Sequence, residues 1–147
     1  MGLFDKIFKQ VPEEDKLSKQ EAFAGIALAM AGADGSISQS EWDGIVNYIR
    51  RLRLYDNFSG PAFDKMFDKL FRILKNQGAS ALVSASVTGL PEDLKLTSFA
   101  CAVDIALADG VLEEEEKDII NQLAETLEIP EQTAISIIEV LIIKNKA

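Results

Sequence analysis

Hydrophobic residues recur along this chain at intervals of three and four nearly throughout, so the pattern predicts an all-α protein with about seven helices. The clearest period is Phe63, Met66, Phe67, Leu70, Phe71 and Leu74, with Asp64, Lys65, Asp68, Lys69 and Arg72 on the opposite side. Gly60-Pro61 opens that helix and Gly78 closes it. Before it, Trp42, Ile45, Val46, Ile49 and Leu52 form a stripe whose last turn carries Arg50, Arg51 and Arg53, where cations suit the helix dipole. After it, residues 79–88 predict a short Ala/Ser/Val-rich helix ended by Gly89; Val83 to Val87 is the one stretch with an alternative reading as strand.

Two segments depart from amphipathicity. Ala22 to Ala33 carries no polar side chain and follows a Ser18–Glu21 capping box, which predicts a buried central helix stopped by Gly35. A second apolar helix is expected from Pro91 to about Ala108, with Asp104 the only charge between Ser98 and Ala108. A mid-helix acid in apolar surroundings is costly unless paired, so Asp104 is read as a hydrogen-bonded acid at a helix contact or as an acid at a partly solvated edge, with Cys101 one turn before it as a small apolar filler. The remaining helices carry Ile119, Ile120, Leu123 and Leu127, and then, after Pro130, Ile135, Ile138, Leu141 and Ile142.

Each apolar helix runs into the same short motif. Ala33-Asp34-Gly35-Ser36-Ile37 with Glu41 recurs 75 residues later as Ala108-Asp109-Gly110-Val111-Leu112 with Glu116. Around them Ala27 pairs with Ala102, Ala31 with Ala106, Ile45 with Ile120 and Leu52 with Leu127. The expectation is a single helical domain over 17–147, with a pseudo-twofold duplication of helical hairpins in halves of about 20–55 and 95–130, preceded by an arm and linker over 1–16. Within the arm, Phe4, Ile7, Phe8 and Val11 fall at helical spacing with Lys6 and Lys9 opposite, a pattern suited to packing on the domain or to a peripheral membrane or partner contact.

Local chemistry accounts for most of the motif. Asp-Gly is a helix stop and Ser38 with Glu41 a second capping box, while Glu113 to Glu116 complement a helix N-terminus at roughly 0.3–1 kcal/mol each. An EF-hand loop is excluded: its first and third positions fall on Met30 and Gly32, and on Ile105 and Leu107, none with a side-chain oxygen. What capping leaves over is the repeated pairing of Asp34 with Glu41 and Asp109 with Glu116. All-carboxylate ligands suit a hard divalent cation such as Ca²⁺, Mg²⁺ or Mn²⁺.

Composition narrows the function. A net charge of −9 argues against nucleic acid, and the absence of histidine removes histidine-based catalysis and zinc ligation. No nucleophile–base constellation is visible, so no enzyme is expected. Cys101 is alone, no signal peptide is visible and no uncharged run reaches spanning length, which together predict a cytoplasmic protein, with the arm as a route to the inner membrane face. A protein partner is expected, through the acidic loops or the apolar 134–143 run; the pattern assigns no oligomeric state.

The helical layout with a duplicated Ala-Asp-Gly-x-aliphatic-x-x-x-Glu hairpin, over roughly residues 20 to 130, resembles the tellurite-resistance TerB family. The opening Met-Gly-Leu-Phe-Asp-Lys-Ile-Phe is similar to a start common there. The resemblance implies a compact helical bacterial protein of stress or tellurite resistance, associated with membrane-linked complexes and without enzymatic activity. It places the family's proposed metal-binding acids on Asp34, Glu41, Asp109 and Glu116. The extra acids at 113–115 imply a different ligand set in the second loop.

Overall fold

The buried helix organises the molecule. In a computed structural model that describes residues 16–147, α1 spans Lys19–Ala31, and every residue from Ala22 to Met30 is buried. Its capping box forms as the sequence requires: Ser18 Oγ accepts from the Glu21 amide at 3.2 Å and Glu21 Oε1 accepts from the Ser18 amide at 2.9 Å. The other helices among the described residues are α2 (Gln39–Arg50), α3 (Gly60–Gln77), α4 (Ala79–Gly89), α5 (Lys95–Leu107), α6 (Glu114–Thr126) and α7 (Glu131–Lys144), with 3₁₀ turns at Arg53–Tyr55 and Glu92–Leu94. No strand occurs among the described residues. The N-terminal arm lies outside them.

Helix α1 packs on α2, α3, α4, α5 and α6 at once, most extensively on α4. Such an approach needs small residues. A Cβ at Gly25 would collide with the Ser86 hydroxyl of α4, which is itself buried without a hydrogen-bond partner, as is Ser98. Leu28, Leu70, Ile73, Leu82, Val83, Phe99 and Leu123 complete the fully buried centre. On α2 the expected stripe packs inwards, with Ile45 and Ile49 buried and Trp42, Val46 and Leu52 at its margin. Trp42 meets Phe67 and Phe71 of α3 edge-on, at centroid distances of 5.4 and 5.6 Å.

Several boundaries differ from the pattern reading. Helix α1 stops at Ala31 rather than at Gly35: Gly32 caps it, and Gly35 closes the following turn with its amide on the Gly32 carbonyl at 3.0 Å. Its φ of 92° is where side-chain-bearing residues are strained, and Gly110, at 80°, does the same with the Leu107 carbonyl at 3.0 Å. Pro91 opens a 3₁₀ turn, and α5 begins only at Lys95.

The last helix turns differently from its predicted stripe. Ala134, Ile137, Ile138 and Leu141 face the core, whereas Ile135 and Ile142 are exposed together with Val140 and Ile143. The reason is position: α7 lies at the edge with α5 as its main neighbour, so only one narrow strip can be covered. The two apolar helices also differ in burial. Helix α1 is buried all round, whereas α5 keeps Leu96 and Thr97 in solvent. No described helix is long and apolar enough to cross a membrane.

Candidate functional site

The two acidic loops have the same local construction. In the first, Asp34 Oδ1 accepts from the Ser36 amide at 3.0 Å, and Glu41 Oε1 accepts from the Ser38 amide at 3.0 Å. In the second, Asp109 Oδ1 accepts from the Val111 amide at 3.1 Å, and Glu116 Oε1 accepts from the Glu113 amide at 2.9 Å. Each Asp folds its turn and each Glu caps the helix after it. The helix-stop and helix-start roles read from sequence are therefore present as hydrogen bonds. Glu113 stands where the first loop has Ser38, so an N-cap position normally filled by a hydroxyl holds a further charge.

Three of the four acids line one cleft. Glu41, Asp109 and Glu116 surround a cavity of about 290 Å³, walled by Ile45, Tyr48 and Ile105, with no Lys or Arg in its lining. Asp34 stands outside the lining, but its charge still acts on Glu116. Burial raises the Glu116 carboxyl above its ordinary range; the Glu113 amide opposes that, and the negative charges of Asp109, Glu113 and Asp34 add to it. The charge of the first loop thus reaches an acid of the second. The donor set suits a hard divalent cation, but as the side chains stand, no three or more His, Cys, Asp or Glu among the described residues are grouped closely enough to hold an ion.

Behind the cleft wall lies a second polar cluster. Tyr48 lines the cleft and donates its hydroxyl to Asp104 Oδ2 at 3.1 Å. Asp104 Oδ1 accepts from Lys144 Nζ at 3.1 Å and Asn145 Nδ2 at 2.9 Å. Burial would raise the Asp104 carboxyl, but Asn145, Lys144 and Tyr48 outweigh it and hold it below its ordinary range. Burial, with Cys101 and Asp104 adjacent, pushes the Tyr48 phenol well up, and burial also raises the Cys101 thiol. The expected bonded role of Asp104 is thereby met. Tyr48, Lys144 and Asn145 are not expected from sequence; only the need of Asp104 for donors points towards them.

Searches of curated proteins and of solved structures return no match to this chain. The family model described as "Tellurite resistance protein TerB" matches residues 20–138, which spans both loops, the cleft between them and most of α7. With the all-helical fold, that match establishes that the chain belongs to the TerB family.

Proposed function

We propose that this TerB-family protein works by binding rather than by chemistry of its own, and that a hard divalent cation is taken at the cleft between the two acidic loops. The observation that carries this reading is the convergence of Glu41, Asp109 and Glu116 on one cleft whose lining has no basic residue. Like charges gathered in a half-buried place repel, and a cation relieves that repulsion. Glu41, Asp109 and Glu116 would supply carboxylate oxygens, with Asp34 contributing charge at the mouth. Ca²⁺, Mg²⁺ and Mn²⁺ all accept such a donor set, and side-chain rotation is required to bring the oxygens together. In a tellurite-resistance context the bound ion would set the relative position of the two loops and thereby the surface offered to a partner.

A second reading has its own support. Ile135, Val140, Ile142 and Ile143 expose apolar surface along α7, which suits a helical protein–protein interaction module without a metal site. Calorimetric titration with Ca²⁺, Mg²⁺ and Mn²⁺ separates the two. The first reading expects saturable heat that disappears in the Asp34→Asn/Asp109→Asn variant while the helical circular dichroism is kept. No saturable heat, or heat unchanged in the double variant, transfers support to the interaction module.

A further inference from the structure

Asp104 connects the acidic cleft to the end of α7. Its helix, α5, supplies the neighbouring Ile105 to the cleft wall, and its partner Tyr48 lines the same cleft from α2. Its second carboxylate oxygen accepts from Lys144 Nζ at 3.1 Å and from Asn145 Nδ2 at 2.9 Å. The cleft lining holds no Lys or Arg, so Lys144 is the base tied to its wall from behind. Asp104 thus stands between a cleft of three further acids and the Lys144 ammonium.

Lys144 is held weakly. Its side chain is 60% exposed, against 10% for that of Asp104. An ion pair with one partner largely in water adds little to stability, and terminal turns open more readily than the body of a helix. The same turn carries Ile142 and Ile143, both exposed, and Asn145 has an alternative acceptor in the Leu141 carbonyl of its own helix at 2.9 Å.

The pair has two arrangements. With Lys144 in place, the Asp104 charge is neutralised and exerts little pull on an ion in the cleft. With Lys144 released to water, Asp104 keeps the Tyr48 hydroxyl, and an uncompensated carboxylate stands behind the cleft wall. A divalent cation is attracted to a lone carboxylate and is nearly indifferent to a carboxylate–ammonium pair, so it favours the released arrangement. Across one helix diameter, about 10 Å, in a water-like dielectric and at low salt, that difference is roughly fourfold in affinity. The effect is reciprocal: the ion loosens Lys144 by the factor by which Lys144 weakens the ion.

We propose that Lys144 regulates the cleft through Asp104 as an internal competitor of the cation. In place, it holds the cleft's affinity down; ion binding releases it, and with it the last turn of α7. The released turn carries Ile142 and Ile143, the end of the apolar face that α7 offers to a partner. The regulation presupposes cation binding at the acidic loops.

Cys101 is the chain's one cysteine and lies partly buried beside Tyr48 and Asp104, so its reaction with dithiobis(nitrobenzoate) reports release without a label. In the full-length protein, CaCl₂, MgCl₂ and MnCl₂ are titrated by calorimetry and against the Cys101 reaction rate, with KCl at equal ionic strength as reference. The rate should rise several-fold at saturation and not in KCl. Lys144→Gln, at an exposed position, should react at the faster rate without ion and bind the ion about fourfold tighter. Lys146→Gln, the same charge change two residues on, should do neither. In an Asp104→Asn background that keeps its helical circular dichroism, Lys144→Gln should leave ion affinity unaltered. Saturable heat with Cys101 rate and Lys144→Gln affinity both unchanged overturns the regulation and leaves the cation site standing. An equal acceleration by KCl, an equal gain in Lys146→Gln, or a gain that persists without the Asp104 charge does the same. Absence of saturable heat from both wild type and Lys144→Gln overturns the cation site and the regulation together, whereas heat in Lys144→Gln alone supports both.

Discussion

Asp104 offers the sharpest test of how the cleft is built. It is 8% exposed and accepts hydrogen bonds from Tyr48, Lys144 and Asn145, joining α2, α5 and the end of α7. In Asp104→Ala those donors lose their acceptor unequally. Lys144, 60% exposed, returns to water at little cost. Asn145 keeps the Leu141 carbonyl at 2.9 Å. Tyr48 is half-buried and keeps only the Cys101 sulfur, a weak partner beside a carboxylate, and a hydrogen bond to a charged group contributes about 1.5–3 kcal/mol. Adding a smaller loss at Asn145 and subtracting the relief of no longer burying a carboxylate leaves a destabilisation of about 2–3 kcal/mol. In a chain of this size that lowers Tm by roughly 5–10 °C.

The sign of the pH dependence follows from the depressed Asp104 carboxyl. Its contribution is fully present above the unfolded value, about 3.9, and is lost as pH falls through the lower folded value. Thermal melts of wild type and Asp104→Asn should therefore differ by a constant amount from neutral pH down to about 5 and converge in stronger acid. Because α7 rests mainly on α5, hydrogen exchange should rise first at the amides of its last turn. A Tm for Asp104→Ala within about 1 °C of wild type refutes the reasoning, as does a double-mutant cycle with Tyr48→Phe in which the two changes simply add.

Other outcomes follow from the same structure. Gly25→Ala gains helix propensity of about 1 kcal/mol but forces the added methyl group against Ser86, so it should lower stability in denaturant melts by about 1–2 kcal/mol, and a companion Ser86→Ala should recover part of the loss. Glu128 holds φ at 56° after α6 while the Ile129 amide reaches back to the Ala124 carbonyl at 2.9 Å; Glu128→Gly should raise stability by about 0.5–1 kcal/mol in the same assay. The raised Glu116 carboxyl makes the opposite contribution to Asp104, one most favourable below its unfolded value and lost as pH rises through the folded one. Without divalent cations Glu116→Gln should therefore melt higher than wild type at neutral pH, and the difference should vanish near about pH 4.

The parts of this structure legible in the sequence are those decided within one helical turn. Capping at Ser18 and Ser38 and the facing of α3 as far as Leu70 rest on residues three or four apart, and the burial of Ala22 to Met30 is announced by a run without polar side chains. Beyond Leu70, Ile73 is buried and Phe71 of the expected stripe is 41% exposed. The acids of the cleft are legible for the same reason, since turn and cap chemistry repeat at Asp34 and Asp109. Tyr48, Lys144 and Asn145 reach Asp104 across 56, 40 and 41 residues, and no local spacing encodes that. The facing of α7 escapes the pattern because its outer side is as apolar as its inner side; periodicity finds a helix there but the edge position decides which strip is covered. Glu128 carries no signal because a left-handed helix end is normally announced by Gly or Asn.

The capping geometry also determines how the cleft can be tested. The backbone hydrogen bonds fall on Oδ1 of Asp34 and Asp109 and on Oε1 of Glu41 and Glu116, so each carboxylate has one oxygen committed to folding its own loop. Alanine at any of these positions removes the cap together with the charge, and a lost cap costs about 1 kcal/mol. Loss of ligand binding in an alanine variant would then be indistinguishable from a displaced loop. Asparagine or glutamine keeps an oxygen for the amide and removes only the charge and the second anionic oxygen. Asp34→Asn/Asp109→Asn should therefore retain Tm in the absence of divalent cations within about 2 °C while losing any cation-dependent rise in Tm. If the double variant instead melts far below wild type before any ion is added, the carboxylate charge itself holds the turns, and the acids belong to the fold rather than to a ligand.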